Sequence, residues 1–161
     1  MRLALIPVLA TTLLAACAGY RPSDAVPFSE TSKTREGYAK LYIFRPHNRR
    51  EGSAIWPDIY IGDKRIVELK DQAYTVLFVR PGRYVLSVKK GHPLWFGSET
   101  FPFEIANVAD HFLLYNTYKD TWGITGVYPG APRWQFVDRR SALEELKKTY
   151  FVPPALGAVE P

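Results

Sequence analysis

Apolar and polar positions along this chain change their spacing several times, and each change marks an element. Leu3 to Leu14 is an almost unbroken apolar run with a single charge before it, at Arg2. Ala18–Gly37 has no sustained period and is rich in polar residues and proline, which predicts a flexible tether of about 25 Å root-mean-square span. From Tyr38 the period becomes that of strands. Lys40–Arg45 is closed by Pro46, and Asp58–Ile61 and Lys64–Leu69 flank Gly62-Asp63, a two-residue connection of the kind that joins antiparallel strands. Tyr74–Val79 and Tyr84–Lys89 flank Arg80-Pro81-Gly82-Arg83, which reads as a second hairpin turn.

Thr100–Ile105 alternates with Phe101, Phe103 and Ile105 on one face. Pro102 lacks the N–H that a central ladder needs, so this strand is expected at a sheet edge. His111–Tyr118 and Arg133–Val137 complete the strands. Ser141-Ala142-Leu143-Glu144 has the form of a capping box, and Leu143, Leu146 and Tyr150 recur at helical spacing, predicting one short helix over 142–149. Pro153–Pro161 reads as extended or disordered. The expected fold is mainly β, a small antiparallel β-sandwich with one short C-terminal helix.

The N-terminal run changes the arithmetic. It is too short to cross a bilayer core as a helix, which takes about 20 residues, and it ends at Leu14-Ala15-Ala16-Cys17. The single cysteine excludes an internal disulfide and a four-thiolate metal site. Its alternative fates are a buried free thiol or, since Leu-Ala-Ala-Cys resembles the bacterial lipobox, acylation as the first residue of the mature chain. Taking the second, residues 1–16 are a lipoprotein signal peptide and 17–37 a lipidated N-terminus and tether. Residues 38–150 are the sandwich with its helix, and 151–161 a tail. Cleavage before Cys17 leaves 145 residues (161 − 16) and lowers the formal charge from +5 to +4. All 4 Trp, 10 Tyr and 9 Phe lie in what remains, a composition that favours strands. The lipobox resemblance implies membrane attachment through the N-terminal lipid. Ala18 stands where an Asp retains many lipoproteins at the inner membrane, so the same sorting pattern implies the outer membrane, facing the periplasm.

A second resemblance lies in the hairpin region. Ala39-Lys40-Leu41-Tyr42-Ile43-Phe44-Arg45-Pro46, Ile59-Tyr60-Ile61-Gly62-Asp63-Lys64, and Arg80-Pro81-Gly82-Arg83-Tyr84 resemble uncharacterised bacterial lipoproteins of a domain-of-unknown-function family related to PEGA-type domains. The likeness covers about 39–117 and implies a prealbumin-like sandwich in the cell envelope. It transfers no catalytic residue.

Candidate chemistry is sparse. His47, His92 and His111 lie in separate segments and form no metal-ligand spacing, so no metal and no cofactor is expected. Ser53, Ser87 and Ser98 sit in no nucleophile elbow, and the acid pairs Glu68/Asp71 and Asp58/Asp63 read as solvated groups near turns. The expectation is therefore a binding or scaffold module rather than an enzyme. Its alternatives are an envelope hydrolase, which needs convergent polar side chains, and a carrier of an apolar ligand, which needs a hollow interior. Arg49, Arg50, Arg80, Arg83, Lys89, Lys90, Arg139 and Arg140 among aromatics would suit nucleic acid, but an exported protein meets anionic lipid and cell-wall polymer instead, so no nucleic-acid partner is expected and a plain solvated face is the favoured alternative. Trp95, Phe96 and Trp122 stand in Gly/Pro-rich stretches. Either they pack in the core, or they line a groove for another envelope protein or a cell-wall glycan.

Overall fold

A computed structural model describes residues 24–47, 56–89, 99–117, 132–156 and 158–159. Within them the elements follow as β1 (Ala39–Phe44), β2 (Asp58–Ile61), β3 (Lys64–Glu68), β4 (Ala73–Val79), β5 (Gly82–Lys89), β6 (Glu99–Ile105), β7 (Asp110–Thr117), β8 (Pro132–Phe136), α1 (Arg139–Leu146), β9 (Tyr150–Phe151) and β10 (Ala158–Val159). The first sheet runs β10-β4-β1-β7-β8, with β9 also on β4, and the second runs β3-β2-β5-β6. The mainly β, two-sheet plan with one short helix near the C-terminus is the one expected.

Strand β1 is apolar at nearly every position because the first sheet is covered on both faces. Ala39, Leu41 and Ile43 point with Leu77, Val79 and Leu113 toward Ile59, Leu86, Val88 and Ile105 of the second sheet. Tyr42 and Phe44 point the other way, with Tyr74 and Phe112, against Ala142 and Leu146 of α1. Leu41, Ile43, Ile59, Leu77 and Leu86 are all fully buried, and truncating any one of them to alanine costs about 2–5 kcal/mol. On the second sheet β6 pairs with β5 alone, so Pro102 does sit on an edge strand.

Four local expectations are corrected. Gly62-Asp63 closes the β2–β3 hairpin with Gly62 at φ +58°, but Arg80–Arg83 is not a hairpin. β4 already has β1 on one side and β9 and β10 on the other, so the chain crosses to the second sheet and β5 pairs with β2 and β6. Tyr84 braces this crossover by donating its hydroxyl to Arg80 O at 2.6 Å. The first sheet is mixed, because β1 and β7 lie parallel.

The helix spans Arg139–Leu146 rather than 142–149, since Asp138, not Ser141, is its cap. Asp138 Oδ1 accepts from Ser141 N at 3.0 Å, satisfying an N–H that has no intrahelical partner. The tail, expected to be extended or disordered, is extended and paired where it is described. Val159 is buried and pairs with Val79, and Arg80 N donates to Val159 O.

Packing also begins upstream of Tyr38. Pro27 bridges Tyr150, Phe28 N donates to Thr149 O, and Phe151 N donates to Val26 O. The Phe28 ring lies 5.1 Å from that of Tyr74. Residues read as tether thus lie along β9.

Candidate functional site

The strand directions gather many strand ends at one end of the sandwich. β1 is antiparallel to β4 and parallel to β7, so the ends of β1 and β7 lie beside the start of β4, and β8, antiparallel to β7, also starts there. In the second sheet the starts of β2 and β6 lie with the end of β5. Leu69 joins the two groups, donating its N–H to Pro57 O and accepting from Arg45 Nη1 at 3.2 Å.

Arg45 follows β1 directly. Its backbone N donates to Ala73 O, which continues the β1–β4 ladder by one residue and directs the side chain into the end of the inter-sheet core. The guanidinium is 2% exposed and stands 5.8 Å from the Tyr115 ring, within cation–π range. Burial pushes its pKa below the ordinary arginine value, opposed by Tyr115, Asp71 and Tyr150, yet a guanidinium stays charged in a protein. A buried charge needs a countercharge. Asp71, also 2% exposed, supplies it, with Oδ1 at 3.9 Å from Arg45 Nε.

His47 covers the pair. Its Nδ1 lies 2.7 Å from Asp71 Oδ2. An ionised carboxylate only accepts, so Nδ1 carries the hydrogen and Nε2 is the nitrogen left for other partners. Gln72, at φ +55°, brings its side-chain Nε2 to 3.2 Å from the same Nδ1, a packing contact because Nδ1 already donates to Asp71. A non-glycine residue in the left-handed region is held there by its surroundings. Here the surroundings are the backbone contact of Gln72 O with Tyr150 N and the neighbouring ion pair.

Around this cluster the Tyr115 and Trp134 rings lie 4.7 Å apart, and Lys70 stacks its ammonium 4.9 Å from the Trp56 ring. Thr75 Oγ1 and Trp134 Nε1 are buried without a hydrogen-bond partner among the described residues. A buried Asp–Arg pair under an oriented imidazole can hold a proton position or accept a polar ligand at Nε2. The cluster contains no serine or cysteine, and no group of three metal-ligating side chains occurs among the described residues.

The reading of Asp71 as a solvated partner of Glu68 is overturned, because Asp71 is buried and bound to Arg45 and His47. Asp58 faces Arg65 across the β2–β3 hairpin instead of pairing with Asp63. Cys17, Trp95, Phe96 and Trp122 lie outside the described residues. The segments carrying Trp95 with Phe96, and Trp122, leave and rejoin strands at the end that bears Arg45: β5 and β6 flank the first, β7 and β8 the second. Sequence reasoning missed the Arg45–Asp71–His47 cluster. The available signal was an arginine directly after the apolar run Leu41-Tyr42-Ile43-Phe44, before Pro46 could release the chain.

Residues 35–126, more than half the chain, match a family described as protein of unknown function (DUF2846). No curated protein matches the chain.

Proposed function

The chain thus belongs to the DUF2846 family of unknown function, and from that premise we propose that it is an exported envelope protein, acylated at Cys17, whose sandwich is a non-catalytic binding module. The binding surface is the end of the sandwich that bears Arg45 and Asp71, and Trp95, Phe96 and Trp122, in the segments that join its strands, are the anchors assigned to it. One observation carries this reading: the two aromatic segments, about 30 residues apart in sequence, are flanked by strands that end together above a buried, charge-paired base.

Aromatic anchors together with a rigid polar base suit a protein partner or a cell-wall glycan, which recognition surfaces meet with large rings and a few placed polar groups. The leader and the Leu14-Ala15-Ala16-Cys17 tetrad support anchorage, and Ala18 favours the outer membrane, facing the periplasm. The β2–β3 hairpin at Ile61-Gly62-Asp63-Lys64 supports kinship with PEGA-type domains.

A hydrolase is the second reading, supported by the oriented His47. The side chains that fill the inter-sheet core favour a binding module over a hollow carrier. The deciding experiment crosslinks the native protein in its envelope. Loss of captured partners in Trp95→Ala/Trp122→Ala, with the fold intact, is expected. Unchanged capture by the tryptophan variant would refute the binding surface.

A further inference from the structure

The tether expected from sequence runs for about twenty residues, but its described stretch from Val26 to Thr31 is bound to the domain. Val26 and Phe28 make backbone hydrogen bonds on either side of the Pro27–Tyr150 bridge, at 2.8 Å to Phe151 N and 3.1 Å to Thr149 O. The half-buried Phe28 ring sits between Tyr42 and Tyr74, with centroids 6.4 and 5.1 Å away. Beyond it Glu30 is ion-paired to Arg139, which also reaches Asp110, and Thr31 O accepts from Lys40 Nζ at 3.2 Å.

Ser29 adds long contacts to the Tyr74 hydroxyl at 3.4 and 3.5 Å and Ala25 rests on the core margin, but none of residues 24–31 is fully buried and the Glu30–Arg139 pair is about half exposed on both sides. Segments held in this way open locally without unfolding the domain. The central pairings β1–β4 and β1–β7 do not involve residues 24–31.

From these contacts we infer that residues 24–31 form a releasable strap that sets how far the domain stands from its membrane. The inference rests on acylation of Cys17. With the strap bound, about seven residue steps separate Cys17 from Asp24. They reach at most about 25 Å, and about 15 Å root-mean-square as a coil. With the strap released as far as Tyr38, about 21 steps are free. They reach about 75 Å at full extension and about 25 Å root-mean-square. The bound form holds the domain against the bilayer that carries the acyl chain. The released form lets it search for a partner further away. The strap contacts Tyr150 through its backbone bridge, and β9 contacts Gln72 of the candidate site, so the two regions adjoin through one short strand.

The test uses the acylated full chain in phosphatidylethanolamine/phosphatidylglycerol vesicles with an acceptor dye on a fraction of the headgroups. A donor dye is placed at Asp63→Cys, on the exposed β2–β3 turn, while acylation occupies Cys17. Phe28→Ala/Glu30→Ala is the release variant. Hydrogen exchange is read at the amides of Phe28 and Phe151, with Leu41 and Ile43 reporting the core.

The expected result is at least tenfold faster exchange at Phe28 and Phe151 in the variant, with Leu41 and Ile43 unchanged. Energy transfer falls as the mean donor distance grows by about 10 Å. Unprotected Phe28 and Phe151 amides in the wild type overturn the strap, and so does unchanged transfer in the released, acylated variant. Absence of acyl mass on Cys17 overturns the anchor, and the standoff role with it. Strap failure leaves that mass in place, so the two failures are distinguishable.

Discussion

Asp71→Ala isolates the strongest electrostatic commitment in the fold. Both partners of the Arg45–Asp71 pair are 2% exposed, with Nε and Oδ1 3.9 Å apart. At that separation and an effective dielectric of about 20, the pair attraction is about 4 kcal/mol. Removing one partner of a buried pair typically costs about 3–5 kcal/mol, because the remaining charge is left in a poorly solvating site. The two estimates agree, and either is a large part of the 5–15 kcal/mol that holds a domain of this size together. Arg45 Nη1 keeps its bond to Leu69 O in the variant, so some of the guanidinium stays satisfied and the lower half of the range is expected.

Urea unfolding of the wild type, Asp71→Ala, Arg45→Leu and the double variant, followed by tryptophan fluorescence, measures this as a double-mutant cycle. Asp71→Ala should lose about 3 kcal/mol, equivalent to a fall in Tm of roughly 10 °C. The double variant should recover most of that loss, since a buried pair can be exchanged for apolar side chains at little cost. A loss under about 1 kcal/mol for Asp71→Ala, or strictly additive single effects, would show that the pair is not the countercharge argued here.

Two further outcomes test other parts of the fold. The Asp138 carboxyl is held below the ordinary carboxylate range by hydrogen bonds from the Ser141 hydroxyl and backbone N–H. Its stabilisation is therefore full above that ordinary value and is lost as pH falls through the depressed folded value, so urea midpoints measured from pH 6 to pH 2 should fall less steeply in Asp138→Ala than in wild type. Val159→Asp puts an unpaired carboxylate at a buried position on β10 and should cost at least about 2 kcal/mol in the same urea assay. A change under about 0.5 kcal/mol there would mean that the tail does not cover the sheet.

The elements of this protein were legible in the sequence because they depend on local periodicity. Alternation located the eight main strands to within about two residues, and Pro102 assigned an edge through a missing N–H. Gly62-Asp63 closed a real hairpin for the same local reason, a backbone conformation that glycine adopts without strain. Arg80–Arg83 carried an equally good local signal and joined two sheets, because whether flanking strands pair depends on which edges other strands have already taken. The cap lies at Asp138 instead of Ser141 although both side chains can accept an N–H: Asp138 takes the Ser141 N–H and hydroxyl, which places Ser141 inside the first turn.

The candidate site divides along the same line. Trp95, Phe96 and Trp122 stood out from composition and Gly/Pro context, which are properties of the chain itself. Arg45, His47 and Asp71 did not, since 24 residues separate His47 from Asp71 and nothing local marks them as partners. Only the antiparallel register of β1 with β4 sets Arg45 beside Ala73 and carries Asp71 under His47. Sequence alone determined which segments are strands and which residues look chemically unusual, because both follow from neighbours along the chain. Which residues share a buried site was decided by strand order, because burial and charge pairing are properties of neighbours in space.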